Sequence, residues 1–170
     1  MATAALATDG HVNVSRKGYD CFEILDDNTV VYLDLGGSGI ETLTHPKQNG
    51  RITIMFCAYE GRANILRLYG KGHAVSFDEP GFEDALALFP NFSRAHSIIT
   101  IDITDIASSC GFGVPFYEFL GERKQLMRSA HKKPESEWKQ YRYMCNGESI
   151  DGLDGLVKPK TTSASHKPVK

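Results

Sequence analysis

The chain has no Cys-x-x-C pair, a single tryptophan, and no apolar run near the ~20 residues that a membrane-spanning helix needs. Its cysteines, Cys21, Cys57, Cys110 and Cys145, stand far apart, which suits separate thiols in a reducing compartment better than a disulfide framework or a metal site. Basic clusters are also lacking. Lys and Arg number 19 against 21 Asp and Glu, and the stretch from Val157 onward carries Lys158, Lys160, Lys167 and Lys170 with no acid. The body is therefore acidic, which argues against a nucleic-acid partner. The opening MATAALATDG has neither the basic nor the long apolar region of a signal peptide, so the expected address is the cytoplasm, with no membrane partner.

Several chemistries are missing as well. There is no G-x-x-x-x-G-K-[ST] to cradle a triphosphate, and Gly36-Gly37-Ser38-Gly39 lacks the G-x-G-x-x-G spacing of a dinucleotide site. No H-E-x-x-H occurs and the six histidines are scattered, so no metal is expected. There is no G-x-S-x-G elbow. Ser108-Ser109-Cys110-Gly111 places nucleophiles at a bend, yet the sequence offers no base beside them, and a turn is the simpler reading.

What is present is β-structure. The 170 residues and 41% hydrophobic content fit one domain, assigned here to residues 1–156, followed by a Lys/Ser/Thr/Pro tail at 157–170 too poor in apolar side chains to fold alone. Strands are predicted at Val30–Leu35, Arg51–Ala58, Asn64–Val75 and Ser97–Ile106 from β-branched content and alternation. Asp9-Gly10 marks a hairpin between Ala2–Thr8 and His11–Ser15, with Val12 and Val14 expected on the core face and His11, Asn13 and Ser15 on the other. Cys21–Leu25 is a further short strand.

Between Ser38 and Gly50 a short helix is predicted, with Ser38 as cap, Glu41 in capping-box position and Asn49-Gly50 as stop. Pro46 conflicts with it, having no N–H for the Thr42 carbonyl, so either a kinked helix or two separate turns would satisfy the pattern. Helices are also expected from Pro80 to Phe89, over Glu122–Lys133 and over Glu135–Cys145, the last with Trp138, Tyr141 and Cys145 as a packing stripe. Features suited to an anion gather around this sheet: Ser15 and Lys17 after one strand, Ser38 and Thr42 at a helix start, Arg51 and Arg67 on strands.

Five segments carry a resemblance, in order along the chain: HVNVSRKG (His11–Gly18), YLDLGGSGIE (Tyr32–Glu41), NGRITIMF (Asn49–Phe56), SIITIDITDIASSCGFGVPFY (Ser97–Tyr117) and DGLDGL (Asp151–Leu156). Together they resemble the FMN-binding split-barrel proteins related to pyridoxamine 5'-phosphate oxidase. The resemblance implies a mainly β fold, a six-stranded Greek-key split barrel with a few helices. It also implies a homodimer with FMN in clefts at the dimer interface, and FMN-dependent oxidation or reduction of an unidentified small molecule.

By position, Asn13, Val14, Ser15 and Lys17 fall in the strand along the flavin, and Tyr32, Leu33 and Asp34 in the next one. Ser38 to Thr42 match the phosphate segment, Arg67 a cleft-lining strand, and Cys110 with Phe112 the far wall.

There are departures. Proline usually stands at Arg16 and leucine at Pro46, and the basic pair that holds phosphate in the oxidase itself corresponds to Glu41-Thr42. The C-terminal Trp and Arg-Leu signature of the true oxidase is absent, and relatives carry a helix ahead of the first strand, where this chain begins. Vitamin B6 oxidation is therefore not expected, and Lys17 is the expected phosphate partner. A non-catalytic FMN- or haem-binding module and a degenerate, non-binding paralogue remain alternative readings.

Overall fold

The computed structural model describes residues 1–37 and 39–158; Ser38 and nearly all of the expected tail lie outside the described residues. The chain forms β1 (Ala2–Ala4), β2 (Val12–Val14), β3 (Phe22–Ile24), β4 (Thr29–Asp34), α1 (Glu41–Asn49), β5 (Arg51–Cys57), β6 (Ile65–Ser76), α2 (Phe82–Leu86), β7 (Ser97–Ser109), α3 (Gln125–His131) and α4 (Glu135–Cys145). No helix among the described residues is long and apolar enough to cross a membrane.

The strands make one antiparallel sheet of seven, in the order β2-β1-β5-β6-β7-β4-β3. The strand count differs from the expected six-stranded Greek-key split barrel: the sheet has seven strands, and among the described residues no ladder joins β2 to β3. Those edge strands are three residues each, because Asp9-Gly10, Gly18 and Asp26-Asp27 interrupt the chain beside them. The sheet curls nonetheless. Phe22 of β3 packs edge-to-face on Phe56 of β5 at 5.4 Å between ring centroids, across a core that includes Val31, Leu33, Ile52, Ile54, Ile99 and Ile101.

β4 is buried along Val30–Asp34, between β3 and β7 and covered on both faces. By contrast β6 and β7 run on past it. β4 pairs only with Ser97–Asp102 of β7, whereas the β6–β7 ladder continues to Ile65 opposite Ser109. A bulge between Tyr69 and Gly70 breaks the register there. Glycine is required at position 70, since a Cβ would collide with the Asp102 carbonyl oxygen.

α1 resolves the Pro46 conflict in favour of one continuous helix, closed by Gly50 at φ 73°, whose N–H donates to the Pro46 carbonyl. Its N-cap position is Ile40, with no side-chain cap. The hairpin is seated on this helix: Asn49 donates to the Ala4 carbonyl, and the Leu6 N–H donates to Gln48.

Two orientation readings are reversed. Val12 and Val14 are exposed, at 69% and 79%, while Asn13 faces inward, because the inner side of the hairpin meets a polar cavity rather than the apolar core. In α4 the buried pair is Trp138 and Arg142; Tyr141 and Cys145 face outward, so the predicted stripe is not the packing face. α2 also ends at Leu86, short of Phe89, and α3 begins at Gln125.

Candidate functional site

At the ends of β2 and β4 lies a cavity of about 300 Å³. Its walls come from Asn13 and Ser15–Tyr19, from Tyr32 and Asp34–Gly37, and from Gly39, Glu41, Thr42 and Leu126. Antiparallel pairing delivers β2 through β1 to one side, and the glycine joint after β4 delivers the start of α1 to the other.

Lys17 and Asp34 form the central ion pair, with Nζ 3.2 Å from Oδ2. The same ammonium donates to Thr42 Oγ1 at 3.4 Å and lies 5.4 Å from the centroid of the Tyr32 ring. Burial alone would raise the Asp34 carboxyl. The Lys17 charge, the nearby His96 and the Gly36 N–H at 2.9 Å outweigh it and hold Asp34 below the usual carboxylate value.

Thr42 is the junction of the site. Its hydroxyl oxygen accepts from Lys17 and from Asn13 Nδ2 at 3.2 Å, which occupies both lone pairs and leaves its own proton as a donor. Asn13 also donates to Thr3 Oγ1 at 3.0 Å, and that hydroxyl meets the fully buried His45 Nδ1 at 3.1 Å. Behind His45 stands Asp151, whose carboxylate accepts from the His11 backbone N–H and contacts His11 Nδ1 at 2.6 Å. A polar chain thus runs from the DGLDGL strap of residues 151–156 to the cavity wall.

Below the joint, Arg142 donates to the Leu35 carbonyl at 2.9 Å and to that of Gly37 at 3.4 Å, while Asn146 donates to Gly37 at 3.3 Å. Gly36, at φ 74°, has no room for a side chain between Arg142 and His96. Sequence reasoning missed Arg142, His45 and Asp151 as parts of this site. The spacing of Trp138 and Arg142, one helical turn apart, was the available signal for the first.

The site residues predicted from sequence fall into separate groups. Asn13, Ser15, Lys17, Tyr32, Asp34 and Thr42 line the cavity together. Val14 points away from it, Leu33 is fully buried in the core, and Ser38 lies outside the described residues. Arg67, Cys110 and Phe112 are elsewhere: Arg67 bonds Ser109 at 3.1 Å on the β6–β7 extension, Cys110 lines a different cavity, and Phe112 is 86% exposed. Among the described residues of one chain nothing joins them to the first group.

Fold and cavity together define a mainly β, antiparallel protein of split-barrel type, with a polar pocket between a strand end and a helix start. Over 164 residues the chain is 32% identical to the pyridoxamine 5'-phosphate oxidase family protein ustO of Aspergillus flavus, covering 86% of this chain and 66% of that protein, just under two thirds of its length. The chain belongs to this family of proteins related to pyridoxamine 5'-phosphate oxidase. No family model matches it. Among solved structures it is similar to HupZ of Group A Streptococcus and to a variant of that protein. Each has a TM-score of 0.50 and 20% identity, with 64% of this chain and 83% and 87% of theirs covered, a likeness of fold alone.

Proposed function

We propose that the cavity holds FMN and that the protein is an FMN-dependent oxidoreductase acting on a small molecule. The observation that carries this reading is Thr42, whose proton remains free to donate at the first turn of α1, beside the open backbone of Gly37. A donor of this kind fits a flavin carbonyl, and Asp34 does not oppose it, since that carboxylate is matched by Lys17. Flavin, when bound, supplies the redox chemistry. The chain's part is to hold and orient it: Asn13 and Lys17 fix the Thr42 hydroxyl, and Tyr32 and Ser15 bound the cavity.

The working unit in this reading is a homodimer in the cytoplasm. Met55, Phe56 and Ile106 are exposed on the strands, and Phe112, Phe116 and Leu120 on the segment after β7. Phe56 and Ile106 share one face of the sheet and Met55 lies on the other, and exposed apolar surface of this extent is characteristic of a protein awaiting a partner. A second copy seated there would bring Arg67, Cys110 and Phe112 toward its cavity.

The test is a titration of apo-protein with FMN, read by flavin fluorescence and followed by absorbance under a screen of reductants. Saturable binding with bleaching of the flavin bands by a nicotinamide donor is expected. A Soret band from added haem without FMN binding would replace this reading with a haem-binding module. A protein that takes neither would be the non-binding paralogue.

A further inference from the structure

We propose that Arg16 is the residue that takes the anionic end of the cavity's ligand, a phosphate monoester; this rests on the FMN reading above. The charged side chains lining the cavity are Arg16, Lys17, Asp34 and Glu41. Three of them are already engaged within the chain. Lys17 is matched by Asp34 at 3.2 Å and shared with Thr42. The Glu41 carboxylate accepts the Ile40 N–H at 3.1 Å and the Ile150 N–H at 3.2 Å, so an internal anion already stands at the start of α1. A phosphate placed at that helix start would meet the Glu41 charge. It would also draw on an ammonium that has to keep Asp34 neutralised.

Arg16 is different. It follows β2 directly, lines the cavity, is exposed, and forms no ion pair or side-chain hydrogen bond with the described residues. A guanidinium offers a planar pair of donors matched to two phosphate oxygens, which an ammonium cannot do. Being exposed and uncommitted, it can reach a phosphate at the cavity mouth without abandoning another partner. Lys17 then serves a separate purpose, keeping the Asp34 wall neutral and presenting the Thr42 proton. The same position is where the resemblance leads one to expect proline, which has no charge to offer.

The experiment compares FMN with riboflavin, which lacks the phosphate, on apo-protein by isothermal titration, at low and physiological salt. Arg16→Ala should weaken FMN by about ten- to a hundredfold, the usual range for a charge-assisted pair, and leave riboflavin within about twofold. Arg16→Lys should recover part of the loss, and the salt dependence of FMN binding should flatten in the alanine variant. Lys17→Ala should weaken both flavins alike. Because Arg16 is exposed, an unchanged melting temperature is expected and keeps the variant interpretable. FMN binding by the parent protein with no change in the FMN-to-riboflavin ratio in Arg16→Ala overturns the assignment and leaves the flavin reading intact. Failure of the parent protein to bind either flavin overturns both.

Discussion

The two ends of the sheet are built on opposite terms. At the β2–β4 end, polar groups are buried and matched inside the chain: Lys17 with Asp34, Asn13 with Thr42, Arg142 with the carbonyls of the glycine joint. At the β6–β7 end the ladder outruns its neighbour β4, and the apolar side chains on it and just after it face outward. The first end holds a cavity. The second has surface without a covering. In the reading proposed above, the first end would hold the cofactor and the second would meet a partner copy, and variants at each end test the two parts of that reading separately.

The largest effect is expected at the open end. Ile106→Asp, placed in the exposed part of β7, should convert a dimer into a monomer by light scattering at micromolar concentration, with unchanged far-ultraviolet circular dichroism. A parent protein that is monomeric with FMN present would remove the contrast altogether. At the cavity end, Arg142→Ala should cost about 3 kcal/mol in urea unfolding, since it strips donors from buried carbonyls beneath the joint, and should not alter oligomeric state.

A third test uses acid. Burial holds the His96 imidazole down at about 4, against the opposing pull of the Asp34 charge. The unfolded chain, at about 6.5, binds a proton first, so stability is full above that value and falls as pH drops towards about 4. The loss should approach about 3 kcal/mol, and His96→Gln should flatten this limb of the curve.

The smallest effect is at the strap. The hydrogen bond and charge of Asp151 raise the His11 pKa, and His11 lowers that of Asp151. The contribution of His11 is complete below about 6.5 and is lost as pH rises through its raised value. That of Asp151 is complete above about 3.8 and is lost as pH falls through its lowered value. Amide exchange at Ile150–Leu153, corrected for intrinsic rate, should be slowest between those limits, and Asp151→Asn should abolish the dependence on the His11 side.

Much of this is legible along the chain. β4, β5 and β7 follow from alternation and β-branched content, and α1 ends where Gly50 permits a left-handed residue. Of the cavity residues, Lys17 and Thr42 stand out in the sequence as suited to an anion, while Asn13 and Asp34 come only from the family resemblance. Three things are hidden there for physical reasons. Alternation assigns Val12 and Asn13 to opposite faces but cannot say which face meets a core and which a polar hollow. The Lys17–Asp34 pair depends on β3 folding back beside β4, so a lysine that reads as free is already engaged. Arg142 lies on a helix whose aromatic stripe suggests a different buried face, and its partners are backbone carbonyls more than a hundred residues away in sequence.

The link between His11 and Asp151 spans 140 residues. In a chain made from its N-terminus, the hairpin bearing one cavity wall emerges 140 residues before the residue that braces it. Until then Asn13, Thr3 and His45 have no support from behind, and β1 must also wait for β5 as its ladder neighbour. Contacts so distant in sequence close slowly. The exposed edge of the hairpin is therefore open to wrong pairing throughout that interval, and chaperone demand should track its length.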